Sequence, residues 1–365
     1  MATEQKNTQK KKMSKARQKR ERQKKILTVE FIILVLLLGV LFVWLKFGKL
    51  DFTALKNIAT NSLDPETKEL LNGYTTIAFF GVDNRSTGNY ESGNSDSIMI
   101  CSINNDTKEV KVISVYRDTF LDTGENSLHK CNYAYNHGGV ENAIEMLNRN
   151  LDLNIQEYVA VDFYALVKAV NAVDGIDLAD GITGEEAEIM NGGYIGEVAA
   201  IAGEEATPVS AGQTHLNGVQ AVAYCRVRYT AGGDFQRASR QRIVVSALVD
   251  KVKGANIGEL TALTNAILPE VSTSLSAGQI LKMASAMQDY TLVDTRGFPF
   301  AMVTATYDKK GSVVIPCTLE SNVKEMYVYL FNEEDHKCSD ELLSISQSII
   351  DYTGKTEGDA LDYGY

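Results

Sequence analysis

The chain runs to 365 residues, 44% of them apolar and 23% charged, with a formal net charge of −11. Five cysteines, an odd and sparse set, do not describe a disulfide framework, and four scattered histidines with no paired His/Cys spacing argue against zinc. The first 25 residues hold eleven Lys or Arg against two acids, so the remainder carries −20 and as a whole repels nucleic acid.

In chain order, residues 26–45 are almost uninterrupted apolar sequence with Glu30 the only charge. About 20 such residues at ~1.5 Å each span a bilayer core of ~30 Å, which predicts a transmembrane helix over 26–47. Trp44 and Lys46 mark its outer boundary. The positive-inside rule places the basic arm, 1–25, in the cytoplasm and the chain after Gly48 outside. A cleaved signal peptide would show small residues after its apolar core, where Phe42-Val43-Trp44-Leu45-Lys46-Phe47 stands instead. A polar, partly helical stalk is expected over 48–74.

Strands are predicted at 75–82, 97–103, 110–115 and 158–163, and helices over 140–151 and 166–173. This alternation reads as an α/β domain over 75–350 in which helices cover a sheet. Residues 181–215, rich in Gly, Ala and Glu, give no assignment. A short helix over 217–222 is expected to lead into a strand carrying Arg226 and Arg228. A glycine turn at 231–233 then enters a helical pattern that is amphipathic over 243–252. Helices near 257–267, 277–287 and 323–331 and strands near 302–307 and 312–315 complete the domain, and the acidic tail 351–365 reads as flexible. Cys101 and Cys225 fall in apolar strand patterns that predict buried thiols. Cys317 and Cys338 form the one conceivable bridge, with nothing else in the sequence to support it.

The chemistry-bearing residues recur at the ends of predicted strands. The first strand ends in Gly81-Val82-Asp83-Asn84-Arg85, Asp96 stands at the mouth of the second, and the third ends in Tyr116-Arg117-Asp118. Lys130 and Asn132 follow. Farther on, Arg226 and Arg228 are two apart on the predicted strand, so they share a face, and Arg237 and Gln241 share a helical face. Arg240 and Arg242 read as surface charges. Guanidiniums gathered in this way suit phosphate oxygens. Carboxylates among them imply a Mg2+–phosphate site, because Mg2+ takes one or two carboxylates together with phosphate oxygens and water.

These stretches, with Ser95-Asp96-Ser97, Lys130-Cys131-Asn132-Tyr133-Ala134-Tyr135, Leu216 to Ala221 and Tyr224 to Gln241, resemble the LytR–CpsA–Psr family of bacterial cell-wall phosphotransferases. The resemblance covers about residues 75–350. It implies a three-layer α/β/α domain with a central mixed sheet, held outside the membrane of a Gram-positive-type envelope by the single anchor. The implied activity is transfer of a glycopolymer, such as wall teichoic acid or capsule, from a polyprenyl-pyrophosphate carrier to the primary hydroxyl of a peptidoglycan N-acetylmuramic acid. By position, the resemblance implies that Asp83 and Asp96 hold Mg2+ (or Mn2+). Arg85, Arg117, Arg226 and Arg228 grip the pyrophosphate with Arg237 and Gln241 beside them, and Lys130 adds charge at the rim. Asp234 orients Arg237 or accepts the attacking hydroxyl's proton. Two positions depart from the family pattern: Asn94 replaces the usual Arg, and Ser97 the usual Thr. The carrier needs an apolar slot, whose expected walls are 140–151, 164–173 and 243–252. A polyprenyl-pyrophosphate pyrophosphatase and a non-enzymatic envelope regulator or lipid-binding module stand as alternatives.

Overall fold

The computed structural model describes residues 58–83, 90, 93–228, 230, 232–255 and 270–363 apart from 287–288, with isolated positions between 258 and 267. The basic arm, the predicted span at 26–47, and Arg85 lie outside the described residues. Among the described residues no helix is long and apolar enough to cross a membrane. They belong to one compact unit, Asp51–Tyr365.

The frame is a six-stranded mixed sheet. Its strands are β1 (Tyr74–Asp83), β2 (Asn94–Asn104), β3 (Glu109–Val115), β6 (Glu157–Val161), β9 (Val271–Thr273) and β10 (Thr291–Phe298), in the spatial order β10-β3-β2-β1-β6-β9. β2 runs antiparallel to both β1 and β3, whereas β1 pairs with β6, and β3 with β10, in parallel. Three short hairpins or pairs stand outside it: β4 (Phe120–Asp122) with β5 (Leu128–Lys130), β7 (Ile176–Asp177) with β8 (His215–Leu216), and β11 (Met302–Tyr307) with β12 (Gly311–Pro316).

The alternation of strand side chains divides the packing between two faces. Ala78, Phe80, Val82, Ile98, Ile100 and Ile113 point into the main core. There they meet α2 (Tyr133–Leu151), α9 (Leu319–Phe331) and α10 (Asp340–Thr353). Ile58, Leu63 and Leu71 belong to the same core. The segment from residue 58 through α1 (Pro65–Asn72) is therefore part of the domain and not a stalk. The opposite face carries Phe79, Met99, Cys101 and Val112 toward α3 (Phe163–Ala172) and α7 (Gly233–Gly254). Helices thus cover both faces of the sheet.

The unassigned stretch 181–215 forms α4 (Gly184–Ile189), a π-helical turn (Met190–Tyr194) and α5 (Ile195–Ala202). Its N-terminus is a capping box: Thr183 Oγ1 accepts from Glu186 N–H at 3.2 Å, and Glu186 Oε2 accepts from Thr183 N–H at 2.9 Å. The remaining helices are α6 (Gly218–Arg226) and α8 (Ala277–Ser285). α6 starts with a second capping box, Asn217 with Gln220. It continues through Arg226 where a strand was expected. Every residue from Gly218 to Cys225 is buried, Gln220 included, so the helix has no polar stripe, and a short run buried all round has no period that separates helix from strand. The tail also differs from expectation. Leu361 N–H donates to Met302 O at 2.9 Å, and Thr304 N–H donates to Tyr363 Oη at 2.9 Å. All five cysteines are free thiols, Cys317 and Cys338 included.

Candidate functional site

Antiparallel pairing brings the C-terminal ends of β1 and β3 to the N-terminal start of β2, with Gly81 opposite Ser97 and Val115 opposite Ile98. The bulge between Gly81 and Val82 sits at this end. Asp83 is exposed there, opposite Asn94, which is exposed too. Asp96 follows between buried Ser95 and half-buried Ser97. The start of α7 arrives at the same place through Gly232, whose φ of 93° is a left-handed conformation that favours glycine.

Three guanidiniums from three segments converge on two carboxylates. Arg117 Nη1 donates to both oxygens of Asp96, at 2.8 and 2.9 Å. Arg237 Nη1 lies 3.6 Å from Asp96 and 3.4 Å from Asp234. Arg228 lies 3.8 Å from Asp96 and 3.4 Å from Asp234. Asp118 stands 3.7 Å from Arg117 and 3.4 Å from Lys130 Nζ, which extends the network to the rim. Only the Arg117–Asp96 contact is tight. Arg117 Nε, Arg228 Nη2, Arg237 Nε and Asp234 Oδ1 are buried, with ion-pair neighbours but no hydrogen bond. Buried polar atoms in that state are expected to have a partner. Here the open donors are what paired phosphate oxygens accept from.

Burial draws the Arg117 guanidinium pKa down, but Asp96, Asp234 and Asp118 more than offset it, for a net rise. For Arg237 burial wins, helped by the Arg117 charge, and its pKa falls to about 10; it is still a cation at neutral pH.

Two contiguous hollows meet at this cluster. A polar one of about 230 Å³ is lined by Asp96, Arg117, Asp118, Asp234, Arg237 and Thr304, among others. A larger one of about 480 Å³ runs between the sheet and α3 and α7, with walls including Phe79, Met99, Val112, Leu166, Val245 and Leu248. Asp96, Ser97 and Gln241 line both, so they mark the junction. The expected slot walls on α3 and α7 are present. Helix α2 is not among them, because it packs on the other face of the sheet in the main core. The sheet itself supplies that wall.

Of the residues singled out in sequence, Asp96, Arg117, Lys130, Arg228, Asp234, Arg237 and Gln241 come together. Arg226 does not share these contacts. As the last residue of α6 it turns to Glu197, 2.9 Å away, and lies over the rings of Phe163 and Tyr194. The strand that was to align it with Arg228 is absent. Arg240 and Arg242, read as surface charges, are buried. Arg240 Nε is 2.7 Å from Glu186, and its other nitrogens donate to Val227 O, Thr230 and Gln236. Sequence reading missed this support of the Arg228 loop, although the capping-box spacing Thr183 to Glu186 was a usable signal. It also missed the aromatic run Tyr116–Phe235–Tyr363, with ring centroids 4.8 and 5.0 Å apart, which packs beside the polar hollow.

The hard oxygens of Asp83 and Asp96 are the donor class Mg2+ takes. Three guanidiniums already neutralise Asp96, so an ion there would be held jointly with phosphate oxygens and not by the protein alone. Asp83 itself is exposed at the end of β1 and lines neither hollow.

The LytR_cpsA_psr family profile matches residues 46–318. The polyisoprenyl-teichoic acid–peptidoglycan teichoic acid transferase TagU of Enterococcus faecalis is 29% identical over 212 residues, 57% of this chain and 64% of that protein. The transferase TagV of Bacillus subtilis, with the corresponding name, is 27% identical over 247 residues, 66% of this chain and 60% of that protein. In each case the match spans less than two thirds of the relative's length. Among solved structures, TagT bound to LI-WTA superposes with a TM-score of 0.58 at 19% identity, covering 78% of this chain and 97% of that one, a likeness of fold.

Proposed function

The chain belongs to the LytR_cpsA_psr family, and from that membership and the geometry of the cluster we propose that it transfers a glycopolymer from a polyprenyl-pyrophosphate carrier to a peptidoglycan hydroxyl. The observation that carries this reading is that Asp96, Ser97 and Gln241 line both a hollow that holds Arg117 and Arg237 and an adjoining apolar one. A pyrophosphate joined to a long hydrocarbon has that division of chemistry. The names of the curated relatives, teichoic acid transferases, support the choice of donor and acceptor.

In this reading Arg117, Arg228 and Arg237 bind the pyrophosphate oxygens, Lys130 adds charge at the edge, and the hydrocarbon enters between the sheet and α7. The acceptor oxygen forms a bond to the phosphorus that carries the glycan as the bridging P–O bond breaks. A phosphodiester results, and polyprenyl phosphate leaves. Asp234, held by Arg228 and Arg237, takes the hydroxyl proton. Asp83 and Asp96 would hold Mg2+, which supplies charge neutralisation on the phosphates. The guanidiniums serve the same end from positions fixed before the substrate arrives, and such preorganised charge is where most rate enhancement in phosphoryl transfer arises. The apolar stretch 26–47 is the proposed anchor and the envelope exterior the proposed location.

The test is transfer from a synthetic lipid-linked donor to peptidoglycan by the full chain, with product analysis for the phosphodiester. Asp96→Ala and Arg117→Ala should each lower the rate by at least about 10²-fold, the scale of losing one preorganised charge contact. A folded variant that transfers polymer at the native rate would sink the assignment. Release of free glycan phosphate with peptidoglycan present, and no phosphodiester, would point to hydrolysis instead.

A further inference from the structure

Far from both hollows, the fold closes a trio that the sequence keeps apart. Asp152 is the C-cap of α2 in the left-handed region, at φ 52°. His336 and Cys338 stand in the turn between α9 and α10. One ligand atom from each lies within 4.8 Å of the other two. We propose that Asp152, His336 and Cys338 form a metal site for a borderline-soft divalent cation of the Zn2+ class, which ties the end of α2 to the start of α10.

Three observations support this. The His336 side chain is 1% exposed, yet neither ring nitrogen makes a well-formed hydrogen bond, and the polar neighbour of Nε2 is the long contact to Asp152. An imidazole so buried normally bonds through at least one nitrogen. Second, His336 Nε2 stands 3.4 Å from Asp152 Oδ2. That is long for a hydrogen bond, but it matches the ~3.3 Å edge of a tetrahedron built on metal–ligand bonds of about 2.0 Å.

Third, the ligands are already held by an outer shell, as at metal sites where such partners fix orientation. Asp152 Oδ1 accepts from Asn61 Nδ2 and Ser339 Oγ, both at 2.6 Å, and Oδ2 accepts from Ser339 N–H at 2.7 Å. The His336 ring is stacked on Tyr327, with centroids 3.4 Å apart and planes 10° from parallel. One thiolate, one imidazole and one carboxylate suit Zn2+ and its neighbours better than Mg2+ or Ca2+, which prefer oxygen throughout. Cys338 is half-buried, which leaves a water position on its side. The expectation against zinc rested on His/Cys spacing alone, and Asp152 stands 184 residues before His336.

The test uses the full chain purified in detergent with thiols kept reduced. Zn2+ and, separately, Co2+ are titrated, with bound metal counted by elemental analysis and Co2+ followed by its thiolate charge-transfer and tetrahedral d–d absorption. One equivalent should bind with a thiolate band. Cys338→Ser should abolish that band and weaken binding more than about 100-fold. Asn61→Ala, which leaves all three ligands in place and removes one hydrogen bond to Asp152, should weaken it about 10- to 100-fold. Zn2+ should raise the thermal midpoint of the native chain and not that of Cys338→Ser, which also controls for a variant that folds poorly. No stoichiometric binding by the reduced native chain would overturn the proposal. Binding that Cys338→Ser leaves unchanged would overturn it too, since the ion then sits elsewhere.

Discussion

Arg240 and Glu186 should behave as a coupled buried pair whose loss spreads to the guanidinium cluster around Asp96. Their side chains are 5% and 8% exposed, and the contact is 2.7 Å. Replacing Arg240 with Met removes the cation and leaves a carboxylate out of water. Breaking a buried pair from one side costs about 3–5 kcal/mol. Glu186 keeps its bonds to Thr183 N–H and Oγ1, so the loss should fall near the lower bound, about 3 kcal/mol. At roughly 2–4 °C per kcal/mol for a domain of this size class, the midpoint should drop by about 6–12 °C.

The double variant Glu186→Gln/Arg240→Met leaves no orphan charge and keeps a capping-box residue, so it should recover most of that loss. The pH dependence has a definite sign. Burial pushes the Glu186 carboxyl pKa up, but the Thr183 backbone N–H, Arg240 and the Thr183 hydroxyl outweigh it, for a net fall. Its contribution is therefore full above the unfolded value of about 4.3 and is lost as pH falls through the folded one. Urea melts of the four cycle members at pH 7 and in acid measure all of this. Equal destabilisation of the single and double variants, or a Glu186→Gln effect that persists unchanged into acid, would refute the reasoning. Arg240 also holds Val227 O and Thr230 in the loop before α7. Arg240→Met should thus lower transfer even where it remains folded, by releasing Arg228.

Two further outcomes follow from packing. A Cβ on Gly218 would lie 2.3 Å from Val167 O, a backbone atom of α3. Gly218→Ala should therefore cost about 1–3 kcal/mol as α6 is pushed off α3, read as a lowered urea midpoint; an unchanged midpoint would show that the helices part freely. Val245→Trp places a large ring in the apolar hollow from a half-buried position on α7. It should weaken binding of a long-chain polyprenyl pyrophosphate at least 10-fold while leaving a short-chain analogue within about twofold, measured by competition. Equal loss for both chains would place the hydrocarbon elsewhere.

Much of the site could be read from the residues because strand ends carry their own signal. The β-branched and aromatic run of β1 ends at Asp83, that of β2 begins just after Asp96 and that of β3 ends just before Arg117, and antiparallel pairing leaves those strand ends little choice but to meet. The four-residue spacing of Arg237 and Gln241 likewise fixed their shared helical face. Arg226 was misplaced because α6 is buried all round and so lacks the period that separates helix from strand. Arg240 and Arg242 were misjudged since a charge next to polar residues looks solvated until its partner is known, and Glu186 lies 54 residues before Arg240. The same limit hid Tyr363 behind an acidic tail and Asp152 from His336.

Sequence by itself determined the strands β1, β2, β3 and β6 and the helices α2 and α3, which stretch is apolar enough to span a bilayer, and that acids and arginines gather at strand ends. Those are local properties, set by side-chain period and backbone preference. Only the tertiary structure decided which arginines gather around Asp96 and Asp234, which sheet face walls the apolar hollow, and which buried charges hold the loop before α7. Such choices depend on partners distant in the chain, and the cost of burying an unpaired charge selects among them.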